Sequence, residues 1–202
     1  MIILFQTASG VKIPHAEKLK EEFQLSDDMI RLNLSFEKIK PMLHDFIMLI
    51  EEPIFLILHL PLKQQEEEAL RKNNTDPFHQ KVYYLGHRSK EQVIYLLQKY
   101  GELLLNDGMS RFGIASQTTN DEFFIRKYKL IDIYSKKPAY FLDLMRKYGV
   151  TQTDNLITAW KLFSHETPGE THSIEIKGMT AVDVYRQLIP LGMFEVEVID
   201  EE

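Results

Sequence analysis

The chain has no cysteine. Disulfides, thiolate nucleophiles and cysteine metal sites are therefore excluded, and the composition suits a reducing compartment. Long apolar runs are missing too. The longest candidate, 46–62, is interrupted by Glu51, Glu52, Pro53, His59 and Pro61, whereas a membrane-spanning helix needs about 20 apolar residues. The opening stretch, MIILFQTASG, carries no basic residue ahead of its short apolar run, so it does not read as a secretory leader. Positive charge is not in excess: 24 Lys and Arg stand against 30 Asp and Glu, a net charge of -6. That balance argues against a general nucleic-acid or anionic-membrane binder and leaves a basic partner or simple solubility as its meaning. A phosphate-cradling loop is lacking, because Gly86 stands alone before His87, Arg88 and Ser89. No nucleophile elbow supports serine-histidine-aspartate catalysis. The expectation is a cytoplasmic protein that binds neither nucleic acid nor membrane.

What is present points to architecture. At 202 residues and 44% hydrophobic composition the chain can bury a substantial core. A 21-residue strand-turn-helix-glycine pattern occurs at Lys81 to Gly101, at Lys129 to Gly149 and, more faintly, at His172 to Gly192. The first two share Lys81/Lys129, Leu96/Leu144, Lys99/Lys147, Tyr100/Tyr148 and Gly101/Gly149. Ser89 with Gln92 reads as a capping box, and Pro138 suits the first turn of a helix closed by Gly149. Ile54 to Leu60 reads as a strand buried on both faces, and Phe194 to Ile199 as a final strand. Met1 to Phe5 should be a short strand, and His15 to Phe23 favours helix. A helix capped by Ser35 should carry Ile39, Leu43, Phe46 and Ile47, with a kink at Pro41 or a boundary near Lys40. Glu122 to Tyr134 is too long for one regular strand and suggests a bulge or hairpin. Asp154 to Phe163 reads as a short helix that buries Trp160. The whole, 1–202, is expected to be a single α+β domain with a mixed sheet and packed helices, built partly from the three units. Residues 63–80 form its exposed connector.

Two polar loops concentrate candidate chemistry. In 116–122, Asp121 and Glu122 could act as acid and base or as a binding surface, although hairpin turns use the same residue types. In 164–172, His165, Glu166 and Glu170 could bind a partner. His165, Glu170 and His172 could also ligate a divalent metal, but Pro168-Gly169 forbids the helix that would align them. The basic residues Arg126, Lys127, Lys129, Lys136 and Lys137, interleaved with aromatics, read as an exposed strand face. His59, in an apolar strand, reads as a satisfied core residue.

The segments SQTTNDEFFIRKYKLIDIYS (Ser116 to Ser135) and LITAWKLFSHETPGE (Leu156 to Glu170) resemble a family of small uncharacterised proteins from low-GC Gram-positive bacteria. The resemblance implies no activity. Because both loops fall inside it, it implies that they form one surface. The functional expectation is a non-catalytic binding protein of the immunity or adaptor type that masks a basic protein partner and needs no cofactor. The alternative is a metal-dependent hydrolase using both loops.

Overall fold

Two periodicities alternate along the chain, and each element adopts the one its apolar residues follow. In order they form β1 (Val11–Lys12), β2 (Glu22–Leu25), β3 (Met29–Leu32), α1 (Phe36–Leu49), β4 (Ile54–Pro61), α2 (Gln64–Leu70), β5 (His79–Arg88), α3 (Lys90–Asn106), β6 (Arg111–Ser116), β7 (Glu122–Ile125), β8 (Ile131–Tyr134), α4 (Leu142–Tyr148), β9 (Thr151–Gln152), β10 (Glu170–Thr171), α5 (Ala181–Leu188) and β11 (Phe194–Asp200). The computed structural model describes residues 5–201. The strand expected at Met1 to Phe5 therefore lies outside the described residues, apart from Phe5, which belongs to no strand.

Nine strands make one sheet in the order β11-β5-β4-β6-β7-β8-β3-β2-β9. All neighbours are antiparallel except β2 and β9, and β1 pairs with β10 as a separate ladder. Alternation sorts the sheet's side chains between two faces. Leu56, Leu58, Tyr83, Leu85, Phe112, Ile114, Phe123, Ile125, Ile131 and Ile133 join the helices in the main core. There Phe46 of α1 touches Phe123 and Phe141 at ring-centroid distances of 5.4 and 5.1 Å. The result is a single α+β domain with a mixed sheet and packed helices, as expected from the sequence. Among the described residues no helix is long and apolar enough to cross a membrane.

Local signals hold where the chain supplies its own partners. Ser89 Oγ accepts from Gln92 N at 3.3 Å while Gln92 Oε1 accepts from Ser89 N at 3.1 Å, which completes the capping box. α3 then runs past Gly101 to Asn106. Gly149 closes α4 at φ 71°, a left-handed conformation that glycine adopts without steric cost. The segment from Glu122 to Tyr134 is a hairpin, β7 to β8.

Other expectations fail for tertiary reasons. α1 runs through Pro41 unbroken; Pro41 and Glu37 are exposed, so water can serve the carbonyl that the missing N–H leaves without a donor. His15 to Phe23 is not a helix but a 3-10 turn at Ala16–Lys18 followed by β2, because Leu19 and Phe23 are buried in different clusters. The third unit lacks its strand: Ile176 makes only an isolated bridge to Met179 around a turn in which Lys177 and Gly178 have φ of 52° and 74°. Between Asp154 and Phe163 only Ala159–Leu162 is helical, as 3-10, and Trp160 is 44% exposed rather than buried. Asn33 Nδ2 donates to Ile157 O at 2.7 Å and holds the preceding chain out of a helix.

Candidate functional site

Among the described residues the second face of the sheet is built from strands, with no helix in its apolar cluster. Its apolar cluster, Ile57, Val82, Ala115 and Phe124 with Phe55, Tyr84 and Ile199, is contributed by strands alone. Strand register lays the face out in rows. Tyr84, Ile57, Gly113, Phe124, Asp132 and Arg31 are successive partners across β5, β4, β6, β7, β8 and β3. On one side run Phe55, Ala115, Glu122 and Tyr134, and on the other Glu197, Val82, His59 and Arg111. A Cβ at Gly113 would stand 2.5 Å from Phe124 Cδ2 and 2.9 Å from Phe123 O. Glycine there lets the Phe124 ring lie across β6, with its centroid 4.8 Å from that of His59. Between these rows a groove of about 260 Å³ opens, lined by Ile57, His59, Tyr84, Glu122, Phe124 and Glu197 among others.

Buried charge organises the groove. Arg31 grips Asp132 with two hydrogen bonds, Nε to Oδ1 at 2.7 Å and Nη2 to Oδ2 at 2.8 Å. Arg126 Nη1 adds a third at 3.0 Å and also reaches Tyr134 Oη at 3.3 Å. The bond to Asp132 holds the Arg31 guanidinium above its ordinary range, while burial, then Asp132, raise the Tyr134 phenol. Arg111, 4% exposed, donates to Gln80 and, at 3.1 Å, to Glu201. Burial, then the charges of Arg111 and Arg126, lower the His59 imidazole to about 4, so it is neutral at pH 7. Burial, then Asp132, raise the Glu122 carboxyl to about 7. Among the described residues no hydrogen bond or ion pair engages the Glu122 carboxyl, though the charge of Arg126 acts on it. The groove thus holds a carboxyl group poised to gain or lose a proton near neutrality.

The expected site residues are distributed differently from the reading of two joined loops. Asp121 serves its own turn, accepting from Thr119 Oγ1 at 2.6 Å and from Ser135 Oγ at 2.5 Å, whereas Glu122 faces the groove. His165 and Glu166 are exposed at the tip of a turn closed by Ser164 and Thr167. Glu170 pairs with Lys12 at 2.5 Å and has His172 Nε2 at 3.6 Å. Among the described residues no three His, Asp or Glu side chains are gathered so that they could hold a metal ion. The two loops do not form one surface. The 116–122 loop sits at the Ser116 end of β6, where Ser116 N donates to Asp121 O. The 164–172 loop is tied to the Arg111 end, where Gly108 N donates to His172 O and His172 N to Gly10 O.

Of the basic run only Lys136 and Lys137 are exposed, while Arg126 and Lys127 are partly buried. Lys129 is buried and donates to Asp107 O at 2.5 Å and to Leu104 O at 3.4 Å, placing an ammonium at the C-terminus of α3. Burial lowers its pKa to about 8. It is held there by a turn in which Tyr128 and Lys129 both have positive φ, 56° and 61°.

A second feature lies at the sheet's margin. One edge strand, β9, has two residues; the other, β11, has seven and is exposed along nearly its whole length. Phe194, Val196 and Val198 are 55%, 44% and 41% exposed. Glu195 and Glu197 alternate with them, and residues 187–202 contain five carboxylates and no Lys or Arg. Sequence reasoning found β11 but missed the groove, whose signal was a set of charged residues (His59, Arg111, Glu122, Asp132) set among strand apolar residues. No known protein family, no curated protein and no solved structure matches the chain.

Proposed function

We propose that the protein is a non-catalytic binding protein that captures an extended, basic segment of a protein partner by adding it as a strand to β11. The observation that carries this reading is the unequal treatment of the two sheet edges. An edge strand presents a row of unpaired N–H and C=O groups, and proteins ordinarily shorten, cover or charge such edges. The β9 edge is short. The β11 edge is long and uncovered, and it exposes Phe194, Val196 and Val198 among its carboxylates, so its main chain is open to strand-adding recognition.

Charge decides between occupants. Pairing β11 with a second copy of itself would set two acidic strands side by side, since 194–200 holds Glu195, Glu197 and Asp200 and no Lys or Arg, and like charges across a strand pair are destabilising. A partner strand that carries Lys or Arg would meet Glu195 on the helix face of the sheet or Glu197 on the open face with opposite charge. The register shift between Glu195 and Glu197 against β5 further disfavours a long symmetric pairing while leaving a short partner strand room on either side of it. Masking or recruiting such a segment is what an immunity or adaptor protein does, and the acidic total would steer a basic partner toward the edge.

The test is fluorescence anisotropy with a labelled hexapeptide alternating Lys and Val, against one alternating Glu and Val. The Lys peptide should bind, less tightly as salt rises. Glu195→Lys with Glu197→Lys should weaken it about tenfold or more and favour the Glu peptide. Equal binding of both peptides, or binding indifferent to the double variant, refutes the reading.

A further inference from the structure

We propose that Arg111 and Lys127 form an oxyanion site, filled in this structure by the carboxylate of Glu201, and that a phosphate or carboxylate group on a ligand takes it by displacing that side chain. The site lies apart from the outer edge of β11 and is independent of strand addition there. Glu201 reaches the two cations from outside the ladder. Strands β5 and β4 separate β11 from β6, so no register sets Glu201 beside Arg111. It follows the last β11 pair, Asp200 with His79, and its N donates to Phe78 O. Its Oε1 accepts from Lys127 Nζ at 2.7 Å and from Arg111 Nη2 at 3.1 Å. Both bonds fall on that one oxygen; among the described residues Oε2 has no hydrogen bond.

The donors are only half used. Arg31 grips Asp132 side-on through Nε and Nη2. Arg111 has the same edge, yet Glu201 takes only Nη2. Nη1 goes to Gln80, and the buried Nε has no hydrogen-bond partner among the described residues. A buried donor without an acceptor is costly. A bidentate oxyanion on the Nε and Nη2 edge would satisfy it, with Lys127 as a third contact.

The surroundings call for negative charge. Burial lowers the Arg111 guanidinium below its ordinary range; the charge of Glu201 opposes that shift and the charge of Arg126 adds to it. Glu197 and Asp200 also line the groove but are exposed, and Glu122 stands beside Ala115, toward the other end of β6. Arg111 lines the groove of about 260 Å³, while Lys127 and Glu201 line a second recess of about 710 Å³. The pair thus stands between two spaces able to take the body of a ligand.

Thermal unfolding and calorimetric titration with inorganic phosphate and with acetate test this, at an ionic strength held constant with chloride. Glu201→Gln should lower the melting temperature, and millimolar oxyanion should restore part of the loss, because a ligand of the folded state stabilises it. The variant should bind the oxyanion about tenfold more tightly than the native chain, in which Glu201 competes. Glu201→Asp, which keeps the charge on a shorter arm, should fall between the two. Whichever of phosphate and acetate rescues at the lower concentration identifies the headgroup. Adding Lys127→Met, at a partly buried position outside the sheet, should abolish rescue and binding together. A Glu201→Gln melting temperature indifferent to both oxyanions, equal affinities in the native and variant chains, or rescue that survives Lys127→Met would each overturn the proposal.

Discussion

Replacing Glu122 with Gln should make stability climb with pH over a range where that of the native chain stays nearly level. Burial, reinforced by Asp132, lifts the Glu122 carboxyl from its ordinary 4.5 to about 7. Burial, reinforced by Arg111 and Arg126, lowers the His59 imidazole from 6.5 to about 4. At Glu122 the folded chain keeps a proton that the unfolded chain has released, so its stability contribution is whole below pH 4.5 and is lost as pH rises through 7. At His59 the folded chain lacks a proton that the unfolded chain holds. That contribution is whole above pH 6.5 and is lost as pH falls through 4. Each displacement corresponds to about 3 kcal/mol, or a slope of about 1.4 kcal/mol per pH unit within its window. The slopes are negative for Glu122 and positive for His59, and they nearly cancel between pH 4.5 and 6.5. Glu122→Gln leaves the rising slope of His59, and His59→Gln leaves the falling slope of Glu122. Urea unfolding of the three proteins at half-unit pH steps reads this directly. Three parallel profiles would refute the reasoning, because the two groups would then be solvated in the folded chain.

Asp132→Asn removes the carboxylate to which Arg31 donates twice and which it shares with Arg126. It should cost about 3–5 kcal/mol in urea unfolding, and a cost below 1 kcal/mol would mean that the network is solvated. Gly113→Ala drives a methyl into the Phe124 ring and the Phe123 carbonyl and should cost about 1–3 kcal/mol; Phe124→Leu in the same chain should recover part of it, as thermal unfolding would show. Trp160 is 44% exposed and meets Tyr128 edge-on at 4.9 Å, so acrylamide should quench its emission readily in the native state. Quenching as slow as that of a buried indole would restore the helical reading of Asp154 to Phe163.

Legibility in the sequence tracked the distance over which each decision is made. The α3 capping box and the Gly149 closure rest on neighbours a few residues apart, and both were readable. β4 was readable because a central strand must be apolar on both sides. Lys129 was not: nothing within its own run shows that the C-terminus of α3 would accept its ammonium. Trp160 was misplaced because aromatic spacing resembles a helical stripe, while a bond from Asn33 decides the local chain path. The candidate site divides the same way. Glu122 was singled out as a loop carboxylate, but its setting depends on His59, Arg111 and Asp132, which come from three other strands. Only the order β4-β6-β7-β8 sets these residues side by side, and sequence alone does not supply strand order. The joining of the two polar loops failed because β6 separates them along its length.

The most direct test of strand addition is amide hydrogen exchange across Phe194 to Asp200, measured with and without the alternating Lys-Val hexapeptide. The account predicts new protection at alternate β11 amides, those facing away from β5, with the β9 edge unchanged. Exchange at β11 that is indifferent to a saturating peptide would contradict it.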